Sequence, residues 1–180
     1  LTGDYRDEVA SIGLETLASG DAGIEITLPT ALVEFARFQP PFVQYEAKDG
    51  SGYQVLLISQ QGDEATLFGL YDIMQTLEIV PLEGERERKA GAFVLTGKNA
   101  TIQSYTQAEL RGGFIKGFTL VWPPAEGARA VKVLEAMKSS FKPTGDRALD
   151  DSLGQPLAEN RADLMAGLEI RRPERSRSGF

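Results

Sequence analysis

The chain has 180 residues, 42% of them apolar and 25% charged, with a formal net charge of -7 and neither cysteine nor histidine. The length suits one domain with extensions and a sizeable core. The acidic balance disfavours nucleic acid and anionic membranes as partners. Without cysteine there are no disulfides, thiolate metal sites or thiol catalysis, and without histidine no Ser-His-Asp or Cys-His catalysis. No apolar run approaches the roughly 18 residues of a membrane-spanning helix, and the start is not a signal peptide. From its ends at Leu1 and Phe180, the chain reads as a piece of something longer.

Residues 4–18 pattern as a helix, with Asp4 as N-cap and Tyr5, Val9 and Ile12 on one stripe; Gly13 weakens its second half. A turn at 20–23 leads into alternation, with Ile24, Ile26 and Leu28 inward and Glu25 and Thr27 outward, the period of a half-buried strand. Leu32 to Phe35 continues as a short extended piece. Strands at 42–46 and 53–59 flank Lys-Asp-Gly-Ser-Gly, a hairpin signal because Asp-Gly tolerates positive φ. Val55 to Ile58 is continuously apolar and should lie deep in a sheet. Leu67, Leu70, Tyr71, Met74 and Leu77 then recur at helical spacing and predict a core-facing helix over 66–79.

The run Glu83 to Lys89 alternates in charge and reads as a solvated loop. A three-strand meander follows: 92–96, 101–110 and 114–122, with turns at 97–99 and 111–113. The triplet Asn99-Ala-Thr101 matches a glycosylation acceptor but sits in a tight turn, where it reads as chance. The third strand carries Phe114, Phe118, Leu120 and Trp122 on one face and Ile115 and Val121 on the other, the mark of a central strand. Pro123 and Pro124 end it, since proline cannot donate to the ladder. Ala130, Leu134, Met137 and Phe141 then define a second amphipathic helix over 127–142. Residues 143–156 read as a linker, 157–168 as a short helix, and Arg171 to Ser178 as an exposed basic stretch. There is no internal repeat. The domain organisation expected is an N-terminal helical extension (1–22), an α+β domain with a mainly antiparallel sheet flanked by helices (23–143), and a linker with a short helix leading onward (144–180).

Three stretches carry that architecture: Gly23-Ile-Glu-Ile-Thr-Leu-Pro29, Gly112-Gly-Phe-Ile-Lys-Gly-Phe-Thr-Leu-Val-Trp122 and Val133-Leu-Glu-Ala-Met-Lys-Ser-Ser-Phe-Lys-Pro143. In pattern they resemble the PsbP-like family over about residues 23–143. The resemblance implies an α/β/α sandwich and a non-catalytic binding or assembly role. The histidines that serve some members at metal or partner sites have no counterpart here, so no ligand role transfers. At the end of the chain, Ser176-Arg-Ser-Gly-Phe180 is similar to the entry into the first barrel strand of trypsin-like and HtrA-like bacterial proteases. Leu1 to Leu17 is similar to the exit from a peptidoglycan-binding helical module. These flanks imply a multidomain, periplasmic or cell-envelope protein, with a wall-binding module upstream and a serine peptidase downstream.

Candidate chemistry within the chain is sparse. Glu83, Glu85 and Glu87 sit among arginines and look too exposed for tuned acid–base work. Asp146, Asp150 and Asp151 lack the alternation and glycine of a calcium loop. Ser139 or Ser140 near Lys142 resembles a Ser-Lys dyad but needs a third partner. No catalytic residue, cofactor or metal ligand is therefore assigned. The candidate partner-binding surface is Phe38, Pro41, Phe42 and Trp122, two aromatic–proline stretches that would form a rigid apolar lip. The alternative is that Phe38, Phe42 and Trp122 plug the core. The functional expectation is an accessory domain positioning or regulating a neighbouring protease or binding an envelope partner. A stand-alone ligand- or partner-binding module and a small carboxylate- or Ser-Lys-based hydrolase are the alternatives.

Overall fold

A computed structural model of the chain describes residues 13–19, 22–48 and 50–143. In order the elements are β1 (Leu14–Ser19), β2 (Ile24–Pro29), β3 (Val33–Gln39), β4 (Phe42–Ala47), β5 (Gln54–Gln61), α1 (Glu64–Met74), β6 (Arg86–Lys89), β7 (Ala92–Lys98), β8 (Gln103–Arg111), β9 (Phe114–Trp122), α2 (Gly127–Ser140) and β10 (Lys142–Pro143). Seven strands form one sheet in the order β3-β4-β5-β9-β8-β7-β6, and β1-β2-β10 form a second. Every pairing is antiparallel. This is the α+β fold expected from the switches of period.

Strand β9 occupies the fourth of the seven places, and its alternation divides the core in two. Phe118 and Leu120 face Val55 and Leu57 of β5, Ile24, Ile26 and Leu28 of the small sheet, and Ala130, Val133 and Met137 of α2. Ile115 and Val121 face the other way, with Leu56, Ile58, Phe93 and Leu95, beneath Leu67, Leu70 and Met74 of α1. The layers are thus α1, the large sheet, then α2 with the small sheet. Gly117 makes the centre tight: a Cβ there would overlap the Gln107 carbonyl oxygen and press on Ala108. Only glycine admits that approach of β8.

Four local expectations are corrected. The helical reading of 4–18 fails in its described part, because Leu14–Ser19 is a strand paired along its whole length with β2. Thr16 and Thr27 join across that pair, hydroxyl to hydroxyl, at 2.8 Å. Gly13, at φ +58°, begins the segment, and its carbonyl accepts both the amide and the hydroxyl of Thr30. Cross-strand partners here outweigh a weak local helical preference. Helix α1 stops at Met74 rather than at 79, and the chain beyond turns irregularly while still burying Leu77, Ile79 and Val80. Asp63 caps its other end, in a reciprocal box with Thr66. Helix α2 ends at Ser140, after which Lys142 and Pro143 pair with β2. Residues 4–12 and the linker, helix and basic stretch expected beyond 143 lie outside the described residues.

The fourth correction concerns 83–89, which is not a loop. Arg86–Lys89 is the outermost strand, paired with β7. What holds it is Arg86, whose five N–H donors are all engaged. Nε donates to Gln75 Oε1 at 3.1 Å, Nη1 to the carbonyls of Glu85 and Thr96, and Nη2 to those of Pro81 and Leu82. A planar fork fits five fixed acceptors; an ammonium cannot. Arg86→Lys is expected to cost about 2 kcal/mol in a urea titration, the loss of several charge-assisted bonds. A change below about 0.5 kcal/mol, the size of an ordinary surface substitution, would mean that other contacts hold β6.

Tyr53 gives a second test. Its ring is fully buried, and its hydroxyl donates to Glu126 Oε1, which also accepts from Arg129. Burial first, and the Glu126 carboxylate second, push the phenol from the usual 10 up to about 12. The folded state therefore favours the neutral phenol. That contribution is complete below pH 10 and is lost as pH rises from about 10 to about 12. Denaturant midpoints measured across that window should fall more steeply for the native chain than for Tyr53→Phe; parallel curves would contradict the assignment.

Candidate functional site

The pleat of the sheet separates the residues expected to form one lip. Phe38 is 46% exposed on β3 and stands opposite Val43, on the face that carries α2. Phe35, 60% exposed, lies on the same face with its ring edge-on to Tyr45 at 6.2 Å. Phe42, one residue from Val43, points the other way and is fully buried in the core beneath α1. Burying that ring contributes about 2–3 kcal/mol to stability, so it is a core residue. Pro41 is buried after a cis Pro40–Pro41 bond, and its carbonyl accepts the Ser59 amide. Trp122 shares a face with Phe38 but is three strands over and four residues further along β9, roughly 20 Å at ordinary strand dimensions. The four residues therefore do not meet. An aromatic–proline motif carries no information about which side of a strand its ring will take.

Trp122 lies instead in a groove of about 430 Å³, floored by β7, β8 and the end of β9 and walled by Leu134 of α2 and the Glu83–Glu85 segment. The groove exists because α2 and the small sheet cover only part of their face. On β7 and β8 the residues turned toward α1 are buried except Leu110, which is partly so, and most of those on the opposite face are half-exposed. The indole N–H donates to Gln103 Oε1 at 2.8 Å. An indole can only donate, so the Gln103 NH2 must be turned away from it. Tyr105 beside it donates to Gln107 Oε1 at 2.8 Å, and the Lys138 ammonium sits 5.1 Å from its ring centre. Burial, and secondarily the Glu87 carboxylate, raises the Tyr105 phenol above its usual range. At the lip Lys98 pairs with Glu83 at 3.8 Å.

Strand β6 sorts its charges by alternation. Arg86 is consumed as described, and Arg88 stacks over Phe68 of α1 at 4.6 Å. Glu87 stands opposite Val94, and Glu85 donates its amide to Thr96 Oγ1, both on the groove face. The sequence shows only an alternating run; its meaning appears once that run is a strand.

The other candidate chemistry resolves into structural roles. Ser140 Oγ accepts the Thr27 amide at 2.8 Å and donates to the Met137 carbonyl, and Ser139 donates to Ala136. Neither hydroxyl is engaged with Lys142 in that arrangement. Among the described residues no group of three or more Asp or Glu side chains gathers as a metal site, and no helix is long and apolar enough to cross a membrane. Asp146, Asp150 and Asp151 lie outside the described residues. Sequence reasoning missed Lys116, which is only 1% exposed in the middle of β9. Its ammonium donates to the Ala22 carbonyl and, at 3.0 Å, to Ser59 Oγ, which itself donates to Ala22. The available signal was a lone lysine inside a strand apolar on both faces.

No protein-family model and no curated protein sequence matches the chain. Among solved structures it is similar to the solution structure of cyanobacterial PsbP (CyanoP) from Synechocystis sp. PCC 6803, with 12% sequence identity and a TM-score of 0.49, over 72% of this chain and 92% of that one. It is also similar to a crystal structure from Bacteroides thetaiotaomicron VPI-5482, with 10% identity and a TM-score of 0.47. That match covers 73% of this chain and 49% of the other, so this chain spans about half its length.

Proposed function

We propose that this chain is a non-catalytic binding module whose recognition surface is the groove around Trp122. The observation that carries this reading is a half-buried indole, its N–H satisfied within the chain, on a sheet face that α2 leaves open. A ring so placed offers a large rigid contact at little entropic cost. Phe35 and Phe38 on β3 provide a second exposed aromatic pair, suited to a neighbouring domain. The groove volume also falls within the range of small-ligand sites, which supports solute binding as the second reading.

In its wider setting we place the module in a periplasmic or cell-envelope protein, with a peptidoglycan-binding segment upstream and a trypsin-like peptidase downstream that the module positions or regulates. The support is in the sequence: the closing Ser176-Arg-Ser-Gly-Phe180 and the basic stretch before it, which suits an interdomain connection. Any catalytic triad must then lie downstream, because this chain has no histidine to act as base. A gene continuation without His, Asp and Gly-x-Ser-Gly in that order, within about 200 residues, would refute the peptidase.

A screen of the 180-residue chain against peptide, ester and glycoside substrates tests the module itself. The expected result is no turnover above the buffer rate. Turnover that disappears in Glu87→Gln or Lys142→Met would establish the hydrolase alternative instead.

A further inference from the structure

The groove's charges are unevenly answered. Lys98 is held by Glu83 at the lip. Glu85 and Glu87, on the same face, are in no ion pair with a described residue. Between them and α2 lie two aromatic rings, Trp122 and Tyr105. The Lys138 ammonium over Tyr105 shows that this ring environment already accommodates a cation. Ring faces attract cations, and arginine most of all, because its guanidinium stacks while its edge donates to carboxylates. The Gln103 NH2, turned from the indole, is left to donate to a carbonyl.

The Glu83–Glu85 wall of the groove leads directly into β6, the last strand of the sheet. An outermost strand offers its outer backbone groups to an extended segment, and side chains of that segment can reach the adjoining face. An extended peptide therefore suits this site better than an enclosed small molecule. With a net charge of -7 the chain attracts basic partners.

Resting on the reading of the groove as a recognition surface, we propose that it receives an arginine side chain from an extended basic segment of a protein partner. The guanidinium lies in the groove between Trp122 and Glu85, and the segment runs along β6 past Glu87.

Trp122 is the chain's only tryptophan, so its emission reports on the groove directly. The full chain is titrated with the capped peptide Ser-Val-Arg-Val-Arg-Val-Ser and with its glutamine counterpart. A saturable emission change is expected with the arginine peptide alone, weakening as salt rises from about 50 mM to about 500 mM. The double variant Glu85→Gln, Glu87→Gln should bind about tenfold more weakly with an unchanged melting temperature, since both side chains are exposed. Equal response to both peptides, or full affinity in the double variant, overturns the proposal. If neither peptide acts but anilinonaphthalene sulfonate quenches Trp122, the cationic class falls and the groove reading stands; if nothing acts, both fall. Replacing Arg171, Arg172, Arg175 and Arg177 by serine tests the chain's own basic stretch. If that change alone shifts the unliganded emission and raises peptide affinity, the occupant is internal and the partner proposal is overturned.

Discussion

Everything in this fold hangs on a strand that must bury both of its faces. β9 holds Phe118 and Leu120 on one side and Ile115 and Val121 on the other, so it needs a layer above and a layer below. α1 supplies one layer; α2 and the small sheet supply the other. A buried charge on β9 links the two sheets. The buried Lys116 ammonium reaches the Ala22 carbonyl at the turn before β2 and the Ser59 hydroxyl on β5. A buried amine must be hydrogen-bonded to be tolerated, and these partners come from segments far apart in the chain. The small sheet is thereby tied to the large one by a directional contact as well as by apolar packing, which is non-directional.

The same division of labour explains why a groove exists. The small sheet has three strands against seven, and with one helix beside it it cannot cover the whole face. On the α1 side the cover is fuller, because the irregular stretch after Met74 adds Leu77, Ile79 and Val80 to the helix. Arg86 holds that stretch against β7 through backbone carbonyls. One arginine of the 83–89 run thus closes one face, while the glutamates beside it border the open one. Strand alternation converts a mixed run of charge, neutral on average, into two surfaces of opposite character.

Much of the architecture was legible because it rests on periodicity. The two-faced pattern of 114–122 placed β9 at the centre, and the change of period identified both helices, since burial imposes those periods on any chain that adopts the elements. The place of Trp122 at the end of the central strand, on the face of Phe118 and Leu120, was legible. The sides taken by Phe38 and Phe42 were not, because they are separated by a turn whose register decides the side each ring takes. Helix ends were misplaced where buried residues continue past the last helical turn, as after Met74. There apolar spacing persists although the hydrogen bonding has stopped.

By itself, then, the sequence determined composition-level exclusions, the mixed fold class, the central strand and the two core-facing helices. Tertiary structure alone decided the rest. It made Leu14–Ser19 a strand, because the partners that satisfy its backbone lie across a turn. It made Arg86–Lys89 an edge, because β7 and a set of carbonyls recruit it. It buried Phe42, half-exposed Trp122 and brought Glu85 and Glu87 to the same face as Tyr105. Those outcomes depend on contacts between residues distant along the chain, and local spacing holds no record of which distant surface a side chain will meet.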